Sequence, residues 1–165
     1  MIRTIRVASV AFLLFGATSG LFGKDFFDPT RNPMKDLKAA EARATAEHKN
    51  ILVDVGCDSL WGSLRIETAF KNGNDLTTEL KKSYIMVRVC VCPETDEARY
   101  KEFFAKYPQS TASPDLFVLA SDGTFLGKLD DLGTGLEKWF SGSNQAAILT
   151  FLKKWAPKPK SSTTK

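Results

Sequence analysis

The chain has 165 residues, 43% of them hydrophobic and 25% charged, which is enough for one domain with a buried core. Its formal net charge is +4, but Arg3 and Arg6 lie near the start and Lys158, Lys160 and Lys165 near the end. Removing these five from the 23 basic residues leaves 18 against 19 acidic residues, so the body of the chain is close to neutral. This balance argues against a nucleic-acid-binding protein, which needs a basic face to neutralise phosphates.

Residues 1–22 are predicted to be a signal peptide. Arg3 and Arg6 precede an apolar run at 7–17 (VASVAFLLFGA), and small residues follow it. The run is too short to span a bilayer, and no later segment approaches that length. We therefore expect an exported protein, periplasmic or secreted, with no membrane span in the mature chain. A retained N-terminal anchor helix is the alternative.

The first half of the remaining chain is predicted to alternate between helices and strands. An irregular segment with two prolines (23–34) leads into a helix with an apolar stripe over about 34–48. A short apolar strand follows at 51–55. Asp58 or Ser59 is placed to cap the next helix, which ends near an Asn-Gly-Asn turn and is followed by a short third helix.

The second half begins with the strongest strand signal, at 84–92 (YIMVRVCVC), which is rich in β-branched residues. Thr95 is placed to cap a helix that carries an aromatic stripe. Strands at 116–119 and 124–128 flank a Ser-Asp-Gly turn and predict a hairpin. A glycine-containing loop is predicted over 129–143, before a final amphipathic helix.

This order of elements predicts an α/β fold, a three-layer α/β/α sandwich with a mixed sheet, in one domain over 35–156. The first two strands are joined through helices and should therefore run parallel. Residues 157–165 are rich in Lys, Ser, Thr and Pro and have little apolar surface to bury, so they are expected to form a disordered basic tail.

Several short motifs follow one another in an informative order and spacing. They are Asp28-Pro29, Pro33, Asp36-Leu37, residues 49–56 (KNILVDVG), Ser113-Pro114, residues 116–119 (LFVL), Asp122-Gly123 and residues 151–155 (FLKKW). Together they resemble exported bacterial proteins of the thioredoxin-like superfamily, over roughly residues 26–156. The resemblance implies a thioredoxin-like fold, with the functional site at the start of the second helix.

The resemblance also implies which residues occupy that site. Asp54 matches the buried acid beneath the active site, and Pro114 matches the cis-proline that faces it. The two cysteines of the usual Cys-x-x-Cys motif fall on Leu60 and Ser63, neither of which has a thiol. Because thiol–disulfide exchange needs a thiolate, the usual reaction should be absent. The site is thus predicted to be redox-degenerate, with Asp54 as a structural remnant.

Three cysteines are expected to meet close to this vacant motif. Cys57 follows the first strand, and Cys90 and Cys92 end the second, so parallel pairing brings all three to one edge of the sheet. Four interpretations are open: buried space-filling thiols, a structural disulfide from Cys57, a relocated redox pair, and a soft-metal site. The cysteine spacing matches no recognised ligand pattern and no histidine is near, so we predict no metal and no cofactor.

Two functions from different classes remain. The preferred one is a non-catalytic binding or structural module, in which Trp61, Ser113 and Pro114 hold an extended peptide or an envelope protein partner. The alternative is a thiol–disulfide oxidoreductase that uses Cys57 with Cys90 or Cys92. The sequence indicates no oligomeric state.

Overall fold

The computed structural model describes residues 26–72, 74–92, 97–107, 114–129 and 143–158. In chain order the elements found there are α1 (Pro33–Glu47), β1 (Asn50–Gly56), α2 (Trp61–Asn72), α3 (Asn74–Ser83), β2 (Tyr84–Cys90), α4 (Glu97–Lys106), β3 (Asp115–Leu119), β4 (Phe125–Lys128) and α5 (Ser143–Trp155). The predicted α/β class is confirmed. The predicted signal peptide, the Thr95 cap, Ser113 and most of the predicted loop and tail lie outside the described residues.

The first helix, α1, has clear signals at both ends. The Asn32 side chain accepts a hydrogen bond from the Lys35 amide at 3.0 Å, and Pro33 occupies the first helical position. The helix ends at His48, which has a left-handed backbone with φ of 54° and whose amide bonds back into the last turn. These caps fix where the chain leaves α1 and enters β1.

The sheet has the order β2-β1-β3-β4 and is mixed, as predicted. β1 and β2 are parallel, with a register that runs from Asn50 opposite Tyr84 to Gly56 opposite Cys90. β3 runs antiparallel to both β1 and β4. The carboxyl ends of β1 and β2 therefore meet at one edge of the sheet, beside the start of β3.

Apolar side chains cover both faces of the sheet, which gives three layers. On one face, residues of α1 and α4 pack against the strands: Leu37, Ala40, Ala44, Tyr100, Phe103 and Tyr107. On the other face, the packing residues come from α2, α3 and α5: Ile66, Ala69, Phe70, Leu76, Ile148, Phe151 and Leu152. The central strands β1 and β3 are buried between these layers, so the apolar run of each needs no polar face.

Two of the predicted boundaries that differ from the observed ones lie next to the site, at the end of β2 and at the start of α2. β2 ends at Cys90 rather than at residue 92; the last bond to β1 runs from the Val91 amide to the Gly56 carbonyl, at 2.8 Å. Leu60, and not Asp58 or Ser59, takes the cap position of α2, because its carbonyl accepts the first helical bond from the Leu64 amide. Asp58 is engaged elsewhere, as described below.

No helix formed by the described residues combines the length and the apolar character that a membrane crossing requires.

Phe117 and Phe125 offer a matched test of where the core lies. Phe117 is fully buried and its ring contacts Phe103, Tyr107 and Phe125, whereas Phe125 is 42% exposed. Phe117→Ala should lower the free energy of unfolding by about 3–5 kcal/mol, because it leaves a cavity. Phe125→Ala should cost less than about 1.5 kcal/mol, mostly from one aromatic contact. Urea denaturation of both variants measures the difference, and equal losses would contradict this account of the core.

Candidate functional site

The candidate site lies where β1 passes through a turn into α2. The turn is closed by a hydrogen bond from the Leu60 amide to the Cys57 carbonyl at 3.0 Å. Leu60 is 36% exposed, and Trp61, the first residue of α2, is 76% exposed. The two large apolar side chains that face solvent here are thus adjacent in sequence and stand at the helix start.

Pro114 lies directly against the first turn of α2. A Cβ atom placed on Gly62 would come within 2.6 Å of Pro114 Cδ, so only a glycine allows this approach. Pro114 itself is buried and precedes β3. The structure therefore brings Leu60, Trp61 and Pro114 together at one end of the sheet, while Ser113 falls outside the described residues.

Ser63 points into the protein and not toward solvent. Its side chain is fully buried, and its Oγ accepts a hydrogen bond from the Cys57 amide at 3.2 Å. This bond ties the first turn of α2 to the turn that precedes it. Ser63 thus stabilises the helix start and offers no accessible nucleophile.

Asp54 is fully buried in β1, beneath the helix start. Neither of its carboxylate oxygens accepts a hydrogen bond from a described residue. Burial, reinforced by the nearby negative charge of Glu67, raises the pKa of the Asp54 carboxyl well above its ordinary value, although the charge of Arg88 opposes the shift. The fold therefore favours the neutral form of Asp54 more than water does.

Glu67 and Arg88 form an ion pair next to Asp54. Arg88 lies opposite Asp54 in the β1–β2 register, and Glu67 is one turn after Ser63 in α2. Both Glu67 carboxylate oxygens accept hydrogen bonds from Arg88, one from Nε and one from Nη2 at 2.8 Å. Burial alone would lower the pKa of Arg88, but the hydrogen bonds and charge of Glu67 raise it above its usual value.

The sequence interpretation included neither Glu67 nor Arg88 in the site. Arg88 does carry a signal, since it is the one charged residue in the apolar run 84–92. Glu67 carries none, because acidic residues are common on the outer faces of helices, and only its tertiary contact with Arg88 accounts for its burial.

The three cysteines do come together at the edge of the sheet. Cys57 and Cys92 form a disulfide with a Cα–Cα distance of 5.5 Å, and Cys90 is a buried thiol outside that bond. All three sulfur atoms lie within 4.8 Å of one another. The Ser59 hydroxyl donates a hydrogen bond to Cys57 Sγ at 3.1 Å. A Cys57–Cys92 bond fits two of the four interpretations left open by the sequence, the structural disulfide from Cys57 and the relocated redox pair.

The N-terminal segment is tied to the same turn. The Asp58 carboxylate accepts hydrogen bonds from the amides of Phe26 and Phe27, at 3.2 and 3.1 Å. The Phe27 ring is buried and lies against Gly56, where it would clash with a Cβ atom. The turn at 57–60 is thus held by the disulfide, by Ser63 and by this segment.

Comparison with known proteins supports the fold. No protein-family profile matches the chain, and no curated protein sequence is similar to it. Among solved structures, a disulphide isomerase from Xylella fastidiosa Temecula1 is similar, with a TM-score of 0.63 and 20% sequence identity. The similarity covers 78% of this chain and 94% of that one. The chain therefore has a thioredoxin-like α/β fold.

The Asp54 carboxyl predicts a distinctive pH dependence of stability. Below about pH 4 the carboxyl is protonated in both the folded and unfolded states. As the pH rises further, the unfolded chain loses its proton first, because the folded-state pKa is raised, and stability falls by up to about 1.4 kcal/mol per pH unit until that pKa is reached. Asp54→Asn should therefore be more stable than the wild type at pH 8, with a gain that vanishes toward pH 4.

Asp122→Asn is the matched control for this measurement. Hydrogen bonds from Thr124 lower the pKa of the exposed Asp122 carboxyl, so its stabilising effect is lost as the pH falls. The Asn variant should be no more stable than the wild type at pH 8 and should approach it at acidic pH. Chemical denaturation of the three proteins from pH 4 to 8 tests both signs, and a wild type as stable as Asp54→Asn at pH 8 would contradict the assignment.

The Cys57–Cys92 bond should contribute measurably to stability. It closes a loop with a sequence separation of 35, and restricting the unfolded chain by such a loop is worth roughly 4 kcal/mol. Reduction, or Cys92→Ser, should lower the free energy of unfolding by about that amount, measured by urea denaturation. Peptide mapping without reduction should find Cys57 linked to Cys92, whereas a Cys90 linkage would show that the pairing is different.

Proposed function

We propose that this is an exported thioredoxin-fold module with a degenerate active site, which binds an extended peptide or a segment of an envelope protein without exchanging disulfides. The observation that carries the proposal is the helix start opposite Pro114. By the resemblance of the sequence motifs, Leu60 and Ser63 match the two positions at which redox-active proteins of this fold have their thiol pair. The proposed export rests on the basic and apolar pattern of residues 1–22.

The chemistry of these two positions supports binding over catalysis. Exchange requires a thiolate that is accessible to a substrate disulfide. Leu60 is a hydrocarbon, and Ser63 is buried and hydrogen-bonded to the Cys57 amide. In a redox-active relative, the acid at the position of Asp54 transfers a proton to or from the second cysteine. In this chain Ser63 takes the place of that cysteine, so this proton transfer has no thiol partner there. On this proposal the buried carboxyl and the helix start have a structural role and not a catalytic one.

The surface around the motif has the composition of a binding site. Trp61 projects into solvent beside Leu60, and Val91, bonded through its amide to Gly56, is 38% exposed. Tryptophan is one of the residues that most often dominate binding energy, and apolar neighbours such as Leu60 and Val91 can exclude water around it. Beside the proline of this fold, an extended segment can pair with the backbone in strand-like fashion while its side chains contact such a surface.

A second candidate, a thiol–disulfide oxidoreductase, is favoured by the position of Cys90. A buried thiol within 4.8 Å of both sulfurs of the Cys57–Cys92 bond has the proximity that internal exchange needs. In this alternative Cys57 and Cys92 exchange with substrate, and Cys92, which is half-buried, is the sulfur open to attack. The alternative requires turnover that depends on Cys57.

The binding proposal predicts the effect of Trp61→Ala and Pro114→Ala. The probe is fluorescein-labelled, reduced and carboxymethylated lactalbumin, an unfolded polypeptide without disulfides, and binding is followed by fluorescence anisotropy. Each substitution should weaken binding at least tenfold, equivalent to about 1.4 kcal/mol, since it removes a central contact. Phe125→Ala is the control, because that exposed ring lies on β4 opposite Leu119, at the other end of the sheet, and should change binding less than twofold.

A disulfide-reduction assay with insulin separates the two candidates. The wild-type protein should not accelerate reduction by dithiothreitol. If the wild type accelerates insulin reduction and Cys57→Ser does not, the oxidoreductase is supported. If Trp61→Ala leaves the affinity for the labelled lactalbumin unchanged, the binding proposal is contradicted.

A further inference from the structure

The register of the two parallel strands collects three sulfur atoms in one place. Gly56 is opposite Cys90, so Cys57, one residue beyond the end of β1, lies next to the end of β2. Cys92 follows two residues later, and all three sulfurs lie within 4.8 Å of one another. Cys57 and Cys90 are buried, and Cys92 is half-buried. Three thiol-bearing residues thus share a small, largely water-free volume.

The donor set of this cluster is selective for soft cations. Thiolates prefer Cu(I), whereas a structural zinc site almost always has four ligands in a tetrahedron. Among the described residues, no histidine or acidic side chain lies close enough to these three sulfurs to serve as a further ligand. A three-coordinate, sulfur-only environment therefore favours Cu(I) over Zn²⁺.

The spacing also fits a single ion. With metal–sulfur distances of about 2.3 Å, three sulfurs around one ion lie about 4 Å apart in a trigonal plane. After reduction the Cys57 and Cys92 sulfurs move apart from bonding distance to about 4 Å, and their separations from Cys90, at most 4.8 Å, change by about 1 Å or less. Cys90 ends β2, and the Val91 amide beside it is bonded to the Gly56 carbonyl, so paired backbone holds the three residues close together.

The geometry points to a redox-gated copper site: once the Cys57–Cys92 disulfide is reduced, the thiolates of Cys57, Cys90 and Cys92 bind one Cu(I) ion. A dithiol reductant supplies two electrons and two protons to the disulfide and becomes a cyclic disulfide itself. Cu(I) then replaces the three thiol protons, which pass to solvent, and its oxidation state does not change. The disulfide and the metal-bound cluster are therefore mutually exclusive states.

The test is an anaerobic Cu(I) titration of the purified protein in competition with the chromophoric chelator bicinchoninate. The protein reduced with a phosphine, which is then removed, should take up one Cu(I) per chain. The disulfide form should bind at least 100-fold more weakly, and excess Zn²⁺ should not displace the copper. Equal binding by the oxidised and reduced forms, or displacement by Zn²⁺, would overturn the proposal.

Cys90→Ser tests the third ligand, because it preserves the Cys57–Cys92 pair. This variant, with its fold checked by circular dichroism, should bind Cu(I) at least tenfold more weakly than the reduced wild type. Since a buried substitution can disturb folding, X-ray absorption of the copper-loaded wild type provides an independent measurement. It should count three sulfur neighbours per copper; two neighbours, or an unchanged affinity in a folded Cys90→Ser variant, would overturn the three-thiolate site.

Discussion

Parallel pairing of β1 with β2 positions the rest of the molecule. The register from Asn50–Tyr84 to Gly56–Cys90 brings the carboxyl ends of both strands to one edge of the sheet. It sets Arg88 beside Asp54 within the sheet, and it sets Cys57 beside Cys92 just beyond it. A shift of one residue would turn every side chain of β2 to the opposite face, which would break both relationships and disrupt the packing of both layers. The apolar packing on both faces therefore protects the site as well as the fold.

The charges beneath the helix start are costly to bury, and their arrangement limits that cost. Arg88 and Glu67 satisfy each other through two hydrogen bonds, so neither charge is left alone in the interior. Among the described residues none donates such a bond to Asp54, and burial raises the pKa of its carboxyl, because the neutral form is less costly to bury than the charged one. Together, Asp54, Glu67 and Arg88 therefore place little net charge in the core. The cluster lies beneath a helix start at which Leu60, Trp61 and Ser63 carry no thiol.

The parts of the fold that could be predicted are those fixed by local pattern. The apolar stripe of α1, the β-branched run of β2 and the hairpin turn each have a periodicity that the chain shows directly, and the parallel pairing follows from the helices between the strands. The location of the cysteines followed from the same reasoning. Which pair would form a bond could not be predicted, because it depends on how Cys92 turns after β2 ends. The burial of Glu67 could not be predicted either, because it depends on the ion pair with Arg88, which is 21 residues away in the sequence.

The disulfide also limits how this chain can associate with copies of itself. Cys57 and Cys92 enclose α2, α3 and β2 in a covalent ring that includes both Trp61 and Val91. Short turns such as the one at 57–60 are common hinges for domain swapping, in which two chains exchange an identical element. Once the ring is closed, α2 cannot be exchanged without threading one chain through another. The cross-link therefore keeps α2, α3 and β2 within their own chain and leaves the exposed tryptophan of α2 at the surface, available to other molecules.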